Sequence, residues 1–286
     1  MSLKDLYASQ KRGDKLIPIL IEHLAKAKKD PAFSRKNFAL ADSKMTIECF
    51  KERMDEFNHG EDLGDDLMFH PSAIGMCQRQ LFFQHFKALP NPHSVSDDLL
   101  RSYLTLELGT YVHVMFQNLC QHAGVLHKRE VAIIDRKLKI VGHADGILKL
   151  GGEKYLLEIK TINDRGFTSL NAPKPEHKGQ MTCYMKCLEL NRGIIVYINK
   201  NTSLLKEFLV EHDEAYFKTS CQSRIRKYLT AIEEKALPDK EGVSPSAFPC
   251  SYCPYSRVCF DNTELSKFSS KLSPAKRQGM KLKRSV

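Results

Sequence analysis

The sequence predicts an α/β protein in which a mixed central sheet is flanked by helices. Three apolar segments of strand-like composition follow one another over residues 130–162, and two more form a pair over residues 193–210. Segments with helical periodicity precede, separate and follow these two groups. An order of helix, three strands, helix, two strands and helix is typical of a mixed sheet with helices on its faces.

The individual elements follow from periodicity and from turn residues. The predicted helices are Leu16–Lys28, Met45–Phe57, Cys77–Ala88, Leu99–His122, Gln180–Leu190 and Asp213–Ala236. The predicted strands are Glu130–Ile134, Leu138–Leu150, Lys154–Ile162, Gly193–Asn199 and Leu204–Val210. Gly151 and Gly152 predict a tight turn between the second and third strands.

The composition predicts a folded protein that binds a polyanion inside the cell. The 286 residues are enough to bury a large core without disulfides, and 42% hydrophobic and 27% charged residues are ordinary values for a globular protein. A formal net charge of +10 favours nucleic acid as the partner. With neither a membrane-length apolar run nor an apolar leader, we expect a cytoplasmic protein without membrane contact. Nine cysteines in that compartment favour metal binding or buried thiols.

Three charged residues lie among apolar ones in the central pair of strands. Glu158 and Lys160 share one face of a strand, and the glycine turn can bring Asp145 alongside them. Two neighbouring carboxylates repel each other unless a cation lies between them, and Mg²⁺ or Mn²⁺ suits oxygen ligands. An adjacent lysine would favour a hydroxide nucleophile or a negatively charged transition state, which implies a phosphodiester substrate. The alternative interpretation is an exposed Glu158–Lys160 ion pair.

Two pairs of residues lie four apart on the helices that flank these strands. Gly109 and His113 precede the strands, while Gln180 and Tyr184 follow them, and each pair occupies one helical face. Taken singly, His113 could be a core histidine, and Gln180 with Tyr184 could be a surface pair. The ordered set G-x-x-x-H, D, E-x-K and Q-x-x-x-Y carries more weight than any one member.

This ordered set resembles the signature of the PD-(D/E)XK nuclease superfamily, in its RecB-type branch. Ala144 stands where the family motif has proline, a change that this branch tolerates. The resemblance implies a restriction-endonuclease-like core over residues 71–249. The sequence pattern predicts a helical N-terminal region over residues 1–70, which the resemblance does not cover. The resemblance also implies a metal-dependent DNA exonuclease that acts on single-stranded or end-bearing DNA.

The resemblance assigns a role to each motif residue. The implied ligands of Mn²⁺ or Mg²⁺ are Asp145, Glu158, His113 and the carbonyl of Ile159. A nitrogen ligand favours Mn²⁺, with Mg²⁺ close behind. Lys160 would orient the attacking water or stabilise charge, and Gln180 and Tyr184 would hold the DNA strand or Lys160.

Four of the cysteines form a possible cofactor site. Cys250, Cys253 and Cys259 follow C-x2-C-x5-C, which requires a fourth ligand, and Cys77 opens a helix, where a thiolate is favoured. Ligand type alone leaves zinc and an iron–sulfur cluster open. The remaining cysteines are expected to be buried thiols: Cys49, Cys120, Cys183, Cys187 and Cys221.

The one-plus-three arrangement resembles that of iron–sulfur RecB-type nucleases, a group that includes the AddB nuclease domain, CRISPR-associated adaptation exonucleases and related phage exonucleases. The resemblance implies a structural [4Fe–4S] cluster on Cys77, Cys250, Cys253 and Cys259, in preference to Zn²⁺, with residues 250–262 as a cap. A short nuclease of this type is typical of prokaryotes and their phages, by analogy.

Two alternatives to a free-standing exonuclease stay open. One is a nuclease-fold DNA-end-binding subunit of a recombination or CRISPR adaptation complex, and the other is a sequence-selective endonuclease. The chain has no G-x-x-x-x-G-K-[ST] motif, so a helicase motor would be a separate partner. The basic residues 263–286 are expected to be disordered, as either a DNA-contacting arm or a solubilising tail.

Overall fold

A computed structural model gives the architecture of residues 15–29, 44, 46–48, 51, 67–91 and 97–271. Its strands are Leu126–Asp135 (β1), Ile140–Leu150 (β2), Glu153–Ile162 (β3), Arg192–Asn199 (β4) and Leu205–Glu211 (β5). They form one sheet in which the spatial order equals the chain order. The β3–β4 pair is parallel and the other neighbours are antiparallel, so the predicted mixed sheet is confirmed.

Helices cover both faces of this sheet and extend beyond it. The α-helices are Leu16–Lys29 (α1), Gln78–His85 (α2), Asp97–His122 (α3), Asp164–Ser169 (α4), Pro175–Cys187 (α5), Glu214–Tyr216 (α6), Ser223–Glu233 (α7), Ser256–Phe260 (α8) and Asn262–Lys271 (α9). A π-helical segment, Phe217–Gln222, joins α6 to α7, so the single long helix predicted over Asp213–Ala236 is interrupted. The crossover from β3 to β4 contains α4 and α5, as a parallel pair requires.

Each face of the sheet has its own apolar core. Leu156 packs with Met181 of α5 on one face, while Leu157 and Ile159 pack with Phe116 of α3 on the other. Adjacent residues of β3 therefore serve opposite cores, as strand alternation requires. Because both faces are covered, β3 and β4 contain nearly continuous apolar runs.

The alternation of β2 is interrupted near Asp145. Ala144 belongs to the α5-side core and Leu148 to the α3-side core, although residues four apart on a regular strand share a face. The β2–β3 pairing also stops at the Gly146–Leu157 pair, next to Asp145. The two strands separate at this point, which leaves room for side chains between them.

A third apolar cluster ties α2 to the C-terminal part of the described chain. Phe83 packs against Phe268 with ring centroids 5.5 Å apart, and Leu265 is also buried in this cluster. The prediction of disorder from residue 263 is therefore wrong for the first part of the tail, because two apolar side chains find partners there. Residues 272–286 lie outside the described residues.

The N-terminal region is described only in part. The predicted helix at Leu16–Lys28 is present as α1, and its first backbone N–H groups donate to the buried carboxylate of Glu207. Most of the predicted helix Met45–Phe57 lies outside the described residues. Within the described ranges, no helix has both the length and the apolar character needed to cross a membrane.

Candidate active site

Asp145 connects three elements at the point where β2 leaves β3. Its Oδ2 accepts the backbone N–H of Ile159 at 2.6 Å, and its Oδ1 accepts the Nδ1–H of His113 at 3.1 Å. Burial raises the pKa of the Asp145 carboxyl, but the charge and hydrogen bond of His113, with the charge of Lys160, outweigh it, so the pKa lies below its ordinary value. The carboxylate is therefore ionised.

His113 reaches the site from α3. Burial lowers the pKa of the imidazole, but the neighbouring carboxylates, Asp145 foremost, raise it by more, so the pKa lies above its ordinary value.

Gly109, the other member of the predicted pair, lies one turn before His113 on α3. A Cβ added at Gly109 would come no closer than 3.8 Å to the Thr161 hydroxyl. That is an ordinary contact, so packing does not explain the glycine.

Gln117 extends the same face of α3 by one turn. Its Nε2 donates to the Asp145 carbonyl at 2.7 Å and to Glu130 Oε1 at 2.8 Å. Glu130 is buried on β1 with a positive φ of 42°. Gln117 was not singled out from the sequence, although its spacing of four from His113 was an available signal.

Glu158, Lys160 and Gln180 form a closed triangle of polar contacts. Lys160 Nζ lies 2.7 Å from Glu158 Oε1 and donates to Gln180 Oε1 at 3.0 Å, while Gln180 Nε2 donates to Glu158 Oε1 at 2.8 Å. Burial lowers the pKa of the Lys160 ammonium, but Glu158 and Asp145 raise it by more, which keeps the lysine charged. The structure thus brings Gln180 of α5 onto Lys160 of β3.

The second oxygen of Glu158 has no hydrogen-bond partner among the described residues. Glu158 is 2% exposed, and its Oε2 is buried. Burial, reinforced by the charge of Asp145, raises the pKa of Glu158 to about 7 against the opposing effect of Lys160. An unpartnered buried carboxylate oxygen is costly, and a divalent cation would satisfy it. The chemistry of this oxygen therefore suits a hard metal ion.

Tyr184 lies behind this triangle. It is 2% exposed, so direct contact with a DNA strand, one of the two roles predicted for it, is not open to this side chain. An added Cβ at Gly142 would lie 2.5 Å from the Tyr184 hydroxyl oxygen. Because glycine has no Cβ, this position of β2 leaves room for the tyrosine side chain to pack against the strand.

The four predicted cofactor ligands line one cavity. Cys77 precedes α2, Cys250 and Cys253 bracket a 3₁₀ turn, and Cys259 lies in α8. These four half-buried cysteines border a cavity of about 260 Å³. Burial raises the pKa of Cys259 to about 11. Across the described ranges, no set of three or more His, Cys, Asp or Glu side chains is arranged to hold a single metal ion.

Arg79 borders the same cavity and was not singled out from the sequence. It is 3% exposed, and its Nε and Nη2 have no hydrogen-bond partner among the described residues. Burial lowers the pKa of this guanidinium, against the smaller opposing effects of Cys259, Cys77 and Asp239. A buried cation without a partner is unfavourable unless an anionic group lies beside it. The cavity therefore favours an anionic group beside this guanidinium.

Two features together define a restriction-endonuclease-like nuclease core. One is the mixed sheet. The other is the site formed by the carboxylates of β2 and β3, the lysine two residues after the β3 carboxylate, and the glutamine of α5. This chain belongs to the PD-(D/E)XK nuclease superfamily, whose family model matches residues 78–260. The matched span contains the whole sheet, the triangle around Lys160 and all of the cavity cysteines except Cys77.

Solved structures with a similar fold include that of SSO0001, which is 19% identical, with a TM-score of 0.45 over 76% of this chain and 94% of that chain. An alkaline exonuclease from Laribacter hongkongensis is 16% identical, with a TM-score of 0.43 over 59% of this chain and 89% of that chain. The same exonuclease in complex with dAMP is 18% identical, with a TM-score of 0.42 over 59% of this chain and 91% of that chain.

Proposed function

We propose that this protein is a metal-dependent DNA exonuclease that hydrolyses single-stranded or end-bearing DNA. The observation that carries the proposal is the buried, unpartnered Oε2 of Glu158, which lies in one site with Asp145 and the ammonium of Lys160. Membership of the nuclease superfamily supports a phosphodiester substrate. The basic net charge of +10 favours a nucleic acid.

The residues that would hold Mn²⁺ or Mg²⁺ are Asp145, Glu158, His113 and the carbonyl of Ile159. When bound, such an ion supplies a water of lowered pKa and stabilises negative charge on phosphoryl oxygens. A nitrogen donor such as His113 favours Mn²⁺. Asp145 is already ionised and is held in place by the Ile159 N–H.

Lys160 contributes a fixed positive charge beside the carboxylates. Gln180 and Glu158 restrain its ammonium group at 3.0 and 2.7 Å, so the charge stays directed at the site rather than at solvent. A positive charge held in a buried site stabilises the negative charge that develops during phosphodiester hydrolysis. In this proposal Lys160 contacts the substrate or the attacking water, whereas Gln180 and Tyr184 are positioning residues.

Degradation of end-labelled single-stranded DNA with Mn²⁺ tests the proposal. We expect the native protein and Lys154→Ala, an exposed lysine on the same strand, to degrade a linear strand. Lys160→Ala should leave the strand intact, and a circular strand should resist the native protein. Cleavage of the circle would indicate an endonuclease instead. A native protein without nuclease activity that still binds DNA ends would indicate a subunit of a recombination or CRISPR adaptation complex.

We also propose a [4Fe–4S] cluster on Cys77, Cys250, Cys253 and Cys259, which would place the chain in the RecB-type iron–sulfur branch. The shared cavity and the two unpartnered nitrogens of the Arg79 guanidinium support this proposal. The group would join residue 77 to the cap at residues 250–262 and so close a very long loop.

The absorbance and composition of the protein test the cluster. Protein purified without oxygen should show visible absorbance and contain equal amounts of iron and sulfide. Cys77→Ser should lose it, and Cys187→Ser should retain it. A colourless protein with bound zinc would contradict the proposal.

A further inference from the structure

A second polar chain lies next to Lys160, on the side of β4. Tyr197 is directly opposite Lys160 in the parallel β3–β4 pairing, so both side chains leave the sheet on the same face. Tyr197 is buried, and its hydroxyl accepts the backbone N–H of Lys174 at 3.0 Å. The same hydroxyl lies 2.8 Å from Nδ1 of His177.

These contacts determine which nitrogen of His177 carries its proton. A hydroxyl has a single hydrogen to donate. The Tyr197 oxygen already accepts from Lys174, and burial raises the pKa of its hydroxyl to about 12, so the hydroxyl is protonated. Among the described residues, Nδ1 of His177 is the one partner of this buried hydroxyl that can accept its hydrogen, and a buried donor without an acceptor is unfavourable, so Nδ1 is the acceptor. In a neutral imidazole the other nitrogen, Nε2, then carries the hydrogen.

His177 occupies the face of α5 that covers the site. It precedes Gln180 by three residues, so the two side chains are neighbours on the helix. Burial, followed by the charges of Lys160 and Lys174, lowers the pKa of His177 to about 3, which keeps the ring neutral. The side chain is half-buried, and the described residues offer Nε2 no hydrogen-bond partner.

We propose that the Nε2–H of His177 donates a hydrogen bond to a non-bridging oxygen of the DNA phosphate that lies beside Lys160, and that Tyr197 is the positioning residue that fixes this tautomer. The inference rests on the proposed nuclease function. A histidine with a purely structural role would be expected to have both nitrogens paired or buried, whereas here one nitrogen is held and the other is available.

The surroundings of His177 favour a phosphate as its partner. The ring lies in the first turn of α5, a 13-residue helix that begins at Pro175, and helix N-termini favour anions. Lys160 and Lys174 are near enough for their charges to act on it. A neutral donor near two cations can bind a phosphate oxygen without adding a further buried charge to the site.

Kinetics on end-labelled single-stranded DNA with Mn²⁺ provide the first test. We expect His177→Phe to lower kcat/KM about 10²-fold, the range found when one transition-state hydrogen-bond donor is removed. Tyr197→Phe should have a smaller effect, because the His177 imidazole is still present although its tautomer is no longer fixed. The double variant should be no slower than His177→Phe, since Tyr197 acts through His177. His127→Phe, at an exposed histidine of β1, is the matched control and should match the native enzyme.

Histidine ¹⁵N spectra provide a readout that does not need turnover. We expect the His177 resonance, assigned by its loss in His177→Phe, to show the Nε2–H tautomer and to shift when a single-stranded oligonucleotide is added without divalent ions. Tyr197→Phe should give a mixture of tautomers. An Nδ1–H tautomer, no shift with DNA, or a His177→Phe variant within twofold of native activity would each overturn the proposal. Because the spectra report binding alone, an inactive native protein would count against the nuclease function and not against this contact.

Discussion

Asp145 accepts the backbone N–H of Ile159 at 2.6 Å across the point where β2 and β3 stop pairing. The carboxylate takes the place of a carbonyl that a regular antiparallel ladder would supply. One side chain thus satisfies the sheet backbone and presents its other oxygen to His113 at 3.1 Å. The geometry of the site and the stability of the sheet therefore depend on the same residue.

Two substitutions of Asp145 should separate these roles. Asp145→Asn keeps an oxygen for the Ile159 N–H, so we expect a folded protein without nuclease activity. Asp145→Ala leaves that buried N–H unpaired, which should cost a further 1–3 kcal/mol, an approximate range for an unsatisfied buried donor. Urea denaturation of both variants measures the difference. Equal stability of the two would show that the Ile159 contact contributes nothing.

Gly142 and Gly109 form a matched pair of glycines. An added Cβ at Gly142 would lie 2.5 Å from the Tyr184 hydroxyl, whereas one at Gly109 meets nothing closer than 3.8 Å. Gly142→Ala should destabilise the protein by about 1–3 kcal/mol through overpacking. Gly109→Ala, in the interior of α3, should be neutral or stabilising by up to about 1 kcal/mol. Thermal unfolding measures both, and Tyr184→Phe should partly rescue Gly142→Ala because it removes the oxygen that collides.

The residues whose contacts follow from short spacings could be predicted from the sequence. Glu158 and Lys160 share a face because they are two apart, and the turn at Gly151–Gly152, where both residues have positive φ, sets the register that places Asp145 near them. The mixed sheet was predicted in a similar way, from the order of helices and strands along the chain. Neither prediction required knowledge of how the helices pack.

The contacts that sequence analysis missed depend on packing between distant elements. Gln117 reaches Glu130 and the Asp145 carbonyl only because α3 lies over an irregular part of β1 and β2. His177 was not singled out from the sequence, because the helix was predicted to begin at Gln180. Pro175 at the first helical position was the available signal for an earlier start.

The stability of the protein should depend on pH through His177. Its pKa is lowered to about 3 in the folded state from an ordinary value of 6.5. The unfolded chain therefore binds a proton more readily, so the contribution is fully present above pH 6.5 and is lost as the pH falls towards 3. For this half-buried side chain the loss between pH 7 and pH 5 should be about 1 kcal/mol.

Urea denaturation at the two pH values measures this effect. His177→Gln should show a smaller decrease in the free energy of unfolding between pH 7 and pH 5 than the native protein. His127→Gln, at an exposed position on β1, should retain the native decrease. If the His177→Gln variant lost as much stability as the native protein, the neutral state of this ring would not be the cause.

The contribution of Arg79 to the free energy of unfolding should depend on whether the cysteine cavity is occupied. It should be unfavourable or near zero when the cavity is empty and favourable when it is filled. Without a bound anionic group, its buried guanidinium has two nitrogens unpartnered within the described chain. Replacing a buried, incompletely paired charge with an apolar residue is often neutral or stabilising. Arg79→Met should therefore stabilise the chelator-treated protein by about 1 kcal/mol or leave it unchanged. With a thiolate-bound cluster in place the same substitution removes a compensating charge, and it should destabilise the protein by about 1–3 kcal/mol.

Urea denaturation of the chelator-treated protein and of the protein with its cluster measures both effects. Arg226→Met, at an exposed arginine of α7, is the control. The same sign in both forms would mean that the guanidinium does not face the bound group.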